Sequence, residues 1–124
     1  MPIGLLAVAI LVANNLRDIP TDAVAGKRTL AVRLGDERTR VLYRACVVAA
    51  FGAVVLGVLV DAFDDGSGLP PWSLLALGAA VVAVRPFEQV GSAAGRELVP
   101  VLVGTARLQV VFGALLALGL WIAW

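Results

Sequence analysis

Ala45-Cys46-Val47-Val48-Ala49-Ala50-Phe51-Gly52-Ala53-Val54-Val55-Leu56-Gly57-Val58-Leu59-Val60 contains no charged side chain and no alternation of polar with apolar residues. Residues 69–84 and 108–124 form two more uncharged runs. With flanking residues 41–44 and 98–107 added, these runs approach the ~20 residues that cross a ~30 Å hydrocarbon core. A backbone in lipid must satisfy its own hydrogen bonds, and nothing here has the dyad pattern of a barrel strand, so the runs are expected to be helices. Hydrophobic residues make up 60% of the 124 positions and charged residues only 15%, against ~25% charged residues in a soluble domain. The expected fold class is an all-α membrane protein, part of a multi-helix transmembrane bundle, with full spans at about 41–62, 69–85 and 100–124.

Sidedness follows from where the charges fall. Arg17, Lys27, Arg28, Arg33, Arg38, Arg40 and Arg44 crowd the connection before the first long run. The next connection, residues 61–68, has Asp61, Asp64 and Asp65 and no cation, and the one after it has Arg85 and Arg96. The positive-inside rule then puts the loop at 14–40 and the connection around 85–97 in the cytoplasm, 61–68 outside, and the C-terminus outside. Trp121 and Trp124 suit an interfacial aromatic belt there, and so does Trp72. The expected location is the cell (inner) membrane, in a multi-pass arrangement. The formal net charge of +1 makes no case for nucleic acid, and no nucleic-acid partner is expected. Cys46 is the only cysteine, which excludes an internal disulfide, and the lack of histidine removes imidazole chemistry and histidine-ligated metals.

Residues 2–13 are apolar but cover only about 18 Å as a helix. No cation precedes them and no cleavage site follows, which argues against a signal peptide. The alternative is the second half of a helix over residues 2–19, in a chain that forms the C-terminal portion of a longer protein. Pro20 is expected to end or kink this helix. Gly26 and Gly35 break the following loop and leave residues 29–34 as a short helix. Asp36 is a candidate N-cap for the helix beginning at Glu37. Residues 64–68 with Pro70-Pro71 read as the external turn. Ala49, Ala53 and Gly57 form a small-residue stripe suited to close helix contact.

The polar cluster Asn14-Asn15-Leu16-Arg17-Asp18-Ile19-Pro20-Thr21-Asp22, followed by Gly26-Lys27-Arg28-Thr29, stands out in so apolar a chain. Asn14, Asp18 and Asp22 recur every four residues, so on a continuous helix they share one face at ~6 Å steps. Two carboxylates and an amide are hard oxygen donors suited to Mg²⁺, which completes its octahedron with water and phosphate oxygens. Lys27 and Arg28, after a flexible glycine, suit further phosphate oxygens. No GxxxxGK[ST] cradle is present, so a nucleoside triphosphate is disfavoured. A DxxxD by itself is also a common solvated helix end, and cations beside a membrane are expected from topology alone.

The segment at 14–22, continuing Ala25-Gly26-Lys27-Arg28-Thr29-Leu30-Ala31-Val32-Arg33-Leu34-Gly35, closely resembles the second aspartate-rich motif of the UbiA-type intramembrane prenyltransferases. Its form is similar to that of the branch acting on 1,4-dihydroxy-2-naphthoate in menaquinone synthesis, as is Thr105-Ala106-Arg107-Leu108-Gln109. The resemblance implies a nine-helix bundle with one Asp-rich motif in each half, of which this chain would run from mid-helix six to the end of helix nine. The first motif, of the NDxxDxxxD kind, is absent, so the missing N-terminal half of the same enzyme is an implied partner.

By the same resemblance, Asp18 and Asp22 are the catalytic metal ligands, with Asn14 a supporting oxygen donor and Mg²⁺ the cofactor. Lys27 is the favoured diphosphate contact, joined by Arg17, Arg28, Asn15 and Arg107. The implied reaction transfers a polyprenyl group from polyprenyl diphosphate to the aromatic acceptor, giving demethylmenaquinone. Arg107 is alternatively an anchor for the acceptor carboxylate or a residue that snorkels to lipid headgroups. Glu88, Arg96 and Glu97 are weaker candidates on the same side. Two other functions remain open at this point: a sister enzyme with another acceptor such as 4-hydroxybenzoate or homogentisate, and a non-catalytic membrane fragment or interaction protein with a basic lipid-binding loop.

Overall fold

A computed structural model of the chain describes residues 2–63 and 68–124. The turn expected at 64–67 lies outside the described residues. In chain order the elements are α1 (Pro2–Val24), α2 (Leu30–Leu34), α3 (Asp36–Phe63), a 3₁₀ helix (Pro71–Ala79), α4 (Ala80–Gln89), a short 3₁₀ turn (Gly95–Leu98) and α5 (Val99–Ile122). No strand occurs among the described residues. Among the described residues three segments are long and apolar enough to cross a membrane: Pro2–Val24, Asp36–Phe63 and Gly95–Ile122. The chain is an all-α membrane protein.

Two of these elements differ from expectation. The first helix does not stop at Pro20 but continues to Val24, and at this length it qualifies as a span. Pro20 has no N–H to give to the carbonyl of Leu16, a loss confined to one bond, while Thr21 Oγ1 donates to the Asp18 carbonyl at 2.9 Å. The span expected at 69–85 is not one α-helix. It is the 3₁₀ helix continued by α4. At rises of ~2.0 and ~1.5 Å per residue the pair still extends for about 33 Å, enough for a hydrocarbon core.

The 3₁₀ conformation has a packing cause. Its buried residues, Ser73, Ala76 and Ala79, recur every third position, which is the period of a 3₁₀ helix and brings all three onto one edge. All three are small, so this edge lies directly on α5. At Gly119 the approach is so close that a Cβ would meet the Trp72 carbonyl oxygen, and Gly57 of α3 is similarly crowded by the Leu69 side chain. The small-residue stripe expected on α3 does this only at Gly57. Ala49 is exposed, and the buried stripe runs beside it through Tyr43, Val47, Ala50 and Val54.

The core is built from three such stripes. Leu6, Ala9, Ala13 and Leu16 of α1 face the α3 stripe and Val101, Leu108, Phe112 and Leu116 of α5. Phe51 and Phe112 meet edge to face with ring centroids 5.2 Å apart. The opposite faces carry large apolar side chains to the outside, among them Val48, Leu56, Val81, Val110 and Trp121. Such a surface suits lipid and not water.

The polar connections gather at one end of the bundle. Arg40, near the start of α3, donates through Nη1 to the Val90 carbonyl and to the Ala93 carbonyl at 2.9 Å, just beyond the end of α4. Asp36 pairs with the same guanidinium rather than capping the helix. Arg44 lies over the Phe87 ring at 5.4 Å. These contacts place the start of α3, the end of α4 and the start of α5 together. The short helix at 30–34 forms as expected, with Thr29 Oγ1 accepting from Val32 N at 3.3 Å and Gly35 closing it at φ 78°.

One buried polar link crosses the core. Tyr43 Oη and Thr105 Oγ1 are 2.6 Å apart, and Thr105 Oγ1 donates its only hydrogen to the Val101 carbonyl at 2.7 Å. Tyr43 is therefore the donor. Tyr43→Phe removes that donor and leaves Thr105 satisfied, a loss of ~1 kcal/mol, whereas Thr105→Val strands a buried hydroxyl at ~1–3 kcal/mol. Reversible unfolding in mixed detergent should rank Thr105→Val as the more damaging. The opposite ranking would show that the proton is directed the other way.

Candidate functional site

The polar cluster is assembled by the way α1 ends. The Lys27 amide donates to the Asp22 carbonyl at 2.9 Å and the Gly26 amide to the Ala23 carbonyl at 3.2 Å. With Gly26 at φ 70°, this is a Schellman closure, in which the residue after the glycine folds back over the last full turn. That closure usually sets two apolar side chains against each other. Here the two residues are Lys27 and Asp22, and Lys27 Nζ lies 3.3 Å from Asp22 Oδ1. The Asp22 side chain is mostly buried while Lys27 remains largely exposed.

Asp18 lies one turn earlier, on a helix that does not break between them. Its carboxylate takes a two-pronged contact from Arg17, with Nε to Oδ1 at 2.8 Å and Nη2 to Oδ2 at 3.1 Å. Asn14 is one turn earlier again and lines the groove between α1 and α5 with Leu102, Val103 and Ala106. Each four-residue step drifts only about 40° around the axis, so the three donors follow one another along one side. The helix C-terminus carries partial negative charge, so two carboxylates in the last two turns sit where the backbone disfavours them. Their neighbouring cations offset that, and a divalent cation would do so more strongly.

The donor set is small. Among the described residues no three acidic or cysteine side chains converge to hold a metal ion. Two carboxylates and an amide therefore do not form a closed cage. They do fit Mg²⁺, which takes one or two carboxylates and fills its remaining positions with water and phosphate oxygens.

The other expected site residues are placed less uniformly. Arg28 is exposed and makes no ion pair among the described residues. Asn15 is turned away from Asn14, into a small cavity walled by Leu30, Ala31, Leu34, Thr39 and Leu42. Arg107 lies in a cleft between α4 and α5 that none of the motif side chains lines. Its neighbour there is Arg85, which from the sequence counted only as loop charge. The spacing of Arg85 and Arg107 carries no signal in the chain because they meet only when α4 packs on α5. Glu88 faces a different groove, between α3 and α4.

The chain belongs to the UbiA prenyltransferase family, whose match covers residues 1–89, from α1 through the end of α4. It is 47% identical over 115 residues to the 1,4-dihydroxy-2-naphthoate octaprenyltransferase of Mycobacterium tuberculosis, covering 92% of this chain and 36% of that protein. The protein of the same name from Escherichia coli is 41% identical over 91% of this chain and 33% of its own length. That from Bacillus subtilis is 32% identical over the whole chain and 38% of its own length. The chain thus spans about a third of the length of the curated relatives it matches. No solved structure matches it.

The closure of α1 rests on a backbone that L-residues rarely adopt. A Cβ at Gly26 would meet no atom within 4 Å, so substitution there is opposed by φ and not by crowding. Gly26→Val should lose about 1–2 kcal/mol in detergent unfolding and Gly26→Asn distinctly less, because Asn tolerates the left-handed region. Equal losses for the two would mean that shape, not conformation, is the constraint.

Proposed function

We propose that this chain supplies one half of the donor site of an intramembrane prenyltransferase that moves a polyprenyl group from polyprenyl diphosphate to 1,4-dihydroxy-2-naphthoate. The observation that carries this is the pairing of Asp18 with Arg17 and Asp22 with Lys27 at the C-terminal end of one unbroken helix. The acceptor is taken from the three relatives, all named as 1,4-dihydroxy-2-naphthoate octaprenyltransferases.

Asp18 and Asp22 would hold Mg²⁺ against the donor diphosphate, with Asn14 as a further oxygen donor. Bound there, Mg²⁺ withdraws charge from the leaving group. Arg17 and Lys27 already hold the carboxylates and lie beside the incoming phosphate oxygens. Lys27, two-thirds exposed on its flexible stem, swings most easily from Asp22 to phosphate. Arg28 adds charge at the rim, and Asn15, which faces the small cavity on the α2 side, is left outside the donor set. The apolar helices keep water from the allylic carbon as its bond to the diphosphate oxygen breaks and a bond to the naphthoate ring carbon forms. The diphosphate departs with the electron pair, and the ring loses its carboxylate as carbon dioxide.

The motif end of the bundle is proposed to be cytoplasmic and the C-terminus external. Arg17, Lys27, Arg28, Arg33, Arg38 and Arg96 lie in or beside the connections gathered at the motif end, whereas Trp121 and Trp124 end α5 away from them.

The test uses a chimera in which this chain replaces the matching segment of the Mycobacterium tuberculosis relative. Asp18→Asn and Asp22→Asn keep size and hydrogen bonding but remove the charge that holds the metal. Each should lower turnover by ~10²-fold or more, about 2.7 kcal/mol of barrier. Lys27→Met should raise KM for the donor more than for the acceptor. If both Asn variants keep near-normal rates while inserted and folded, the carboxylates are only solvated helix-end charges.

A further inference from the structure

Outside the motif, the largest unbalanced charge in an apolar setting is the cleft between α4 and α5. It has a volume of about 320 Å³ and is lined by Arg85, Gln89 and Arg107, with Pro86, Pro100 and Gly104 at its floor. The floor is tight because a Cβ on Gly104 would come within 3.3 Å of the Pro86 ring. Neither arginine has an ion pair or hydrogen bond among the described residues, and no carboxylate lines the cleft.

Both arginines are exposed, yet they project from the helices α4 and α5 and not from a connection. Arg107 is eight residues into α5, about 12 Å along the helix from Val99, and its element is one of the three able to span a membrane. An unpaired cation within a membrane-spanning helix is unfavourable, so a partner is to be expected. The cleft is also continuous with an apolar groove of about 540 Å³. Val82, Val103 and Arg107 belong to both, and the groove runs on to Val110 and Val111.

We propose that this cleft is a binding site for an anionic phospholipid, whose phosphodiester bridges Arg85 and Arg107 and whose acyl chain lies in the adjoining groove. Guanidinium groups take phosphate oxygens two at a time, and Gln89 offers a further donor to the headgroup. A polyprenyl diphosphate has the same general shape, a phosphate head on a hydrocarbon tail. It carries more negative charge, however, and the cleft has no carboxylate through which a divalent metal would share it. A singly charged phosphodiester needs no metal and is already the surrounding solvent. Basic pockets between membrane helices on the cytoplasmic side are suited to such headgroups.

The experiment reconstitutes the full chain in phosphatidylcholine vesicles with a trace of spin-labelled phosphatidylglycerol, or of spin-labelled phosphatidylcholine, and reads the motion-restricted lipid by electron paramagnetic resonance. The wild-type chain should prefer phosphatidylglycerol by at least fivefold. The double variant Arg85→Gln/Arg107→Gln should fall below twofold, while Arg85→Lys/Arg107→Lys, which keeps the charge, should stay between the two. The control Arg33→Gln/Arg38→Gln removes two exposed charges, one on α2 and one in the first turn of α3, and should leave the preference intact. An unchanged preference in the Gln pair, or an equal loss in the control pair, overturns the proposal. So does one-for-one displacement of the labelled lipid by polyprenyl diphosphate in the wild type, which would assign the cleft to that amphiphile. Should the Gln pair not insert, the Lys pair decides: a selectivity reduced below fivefold in a folded Lys pair counts for the bidentate contact, and full retention counts against it.

Discussion

The closure of α1 is the constraint on which the site depends. A helix leaving lipid must find partners for its last carbonyls, and this one does so through Gly26 and Lys27. The same two hydrogen bonds carry the Lys27 side chain back over Asp22. A backbone requirement and an electrostatic one are thus met by a single turn. Asp18 and Asp22 sit against the negative end of the helix dipole, a placement that only counter-charge makes favourable. Arg17 and Lys27 supply it.

Packing then holds that helix end in position. α1 presents small and medium residues, Leu6, Ala9, Ala13 and Leu16, to α3 and α5, so the backbones approach closely where lipid offers no hydrophobic drive for association. The buried Tyr43–Thr105 hydrogen bond sets α3 against α5, and Arg40 ties the start of α3 to the carbonyls after α4. The cation-rich connections therefore form one rim around the end of α1. The outward faces, by contrast, carry large apolar side chains such as Val48, Leu56 and Val110.

Much of this was legible in the sequence. Uncharged runs gave the membrane class, and Thr29 and Gly35 bounded the short helix. The pairing of Lys27 with Asp22 was not legible there: Gly26 reads only as a loop break and Lys27 as a phosphate contact, because the pair depends on the turn that folds residue 27 back over residue 22. Other features were not legible, for physical reasons. Pro20 argued for a break because propensity is local, whereas α1 continues past it at the loss of a single hydrogen bond, the one to the Leu16 carbonyl. Hydropathy does not distinguish α from 3₁₀, although the three-residue spacing of Ser73, Ala76 and Ala79 contained the difference. Ala49 misled because small residues lie on both sides of α3 and composition does not say which side is covered. Arg85 and Arg107 meet only across two packed helices.

The central claim is that Asp18 and Asp22 form a metal site completed by phosphate. Its most direct measurement is Mn²⁺ binding to the chimeric enzyme by electron paramagnetic resonance, with and without a non-reactive prenyl thiodiphosphate. Mn²⁺ should bind at least tenfold more tightly when the analogue is present, and Asp18→Asn or Asp22→Asn should abolish that gain. Equal Mn²⁺ affinity with and without the analogue, or a gain that survives both substitutions, would contradict it.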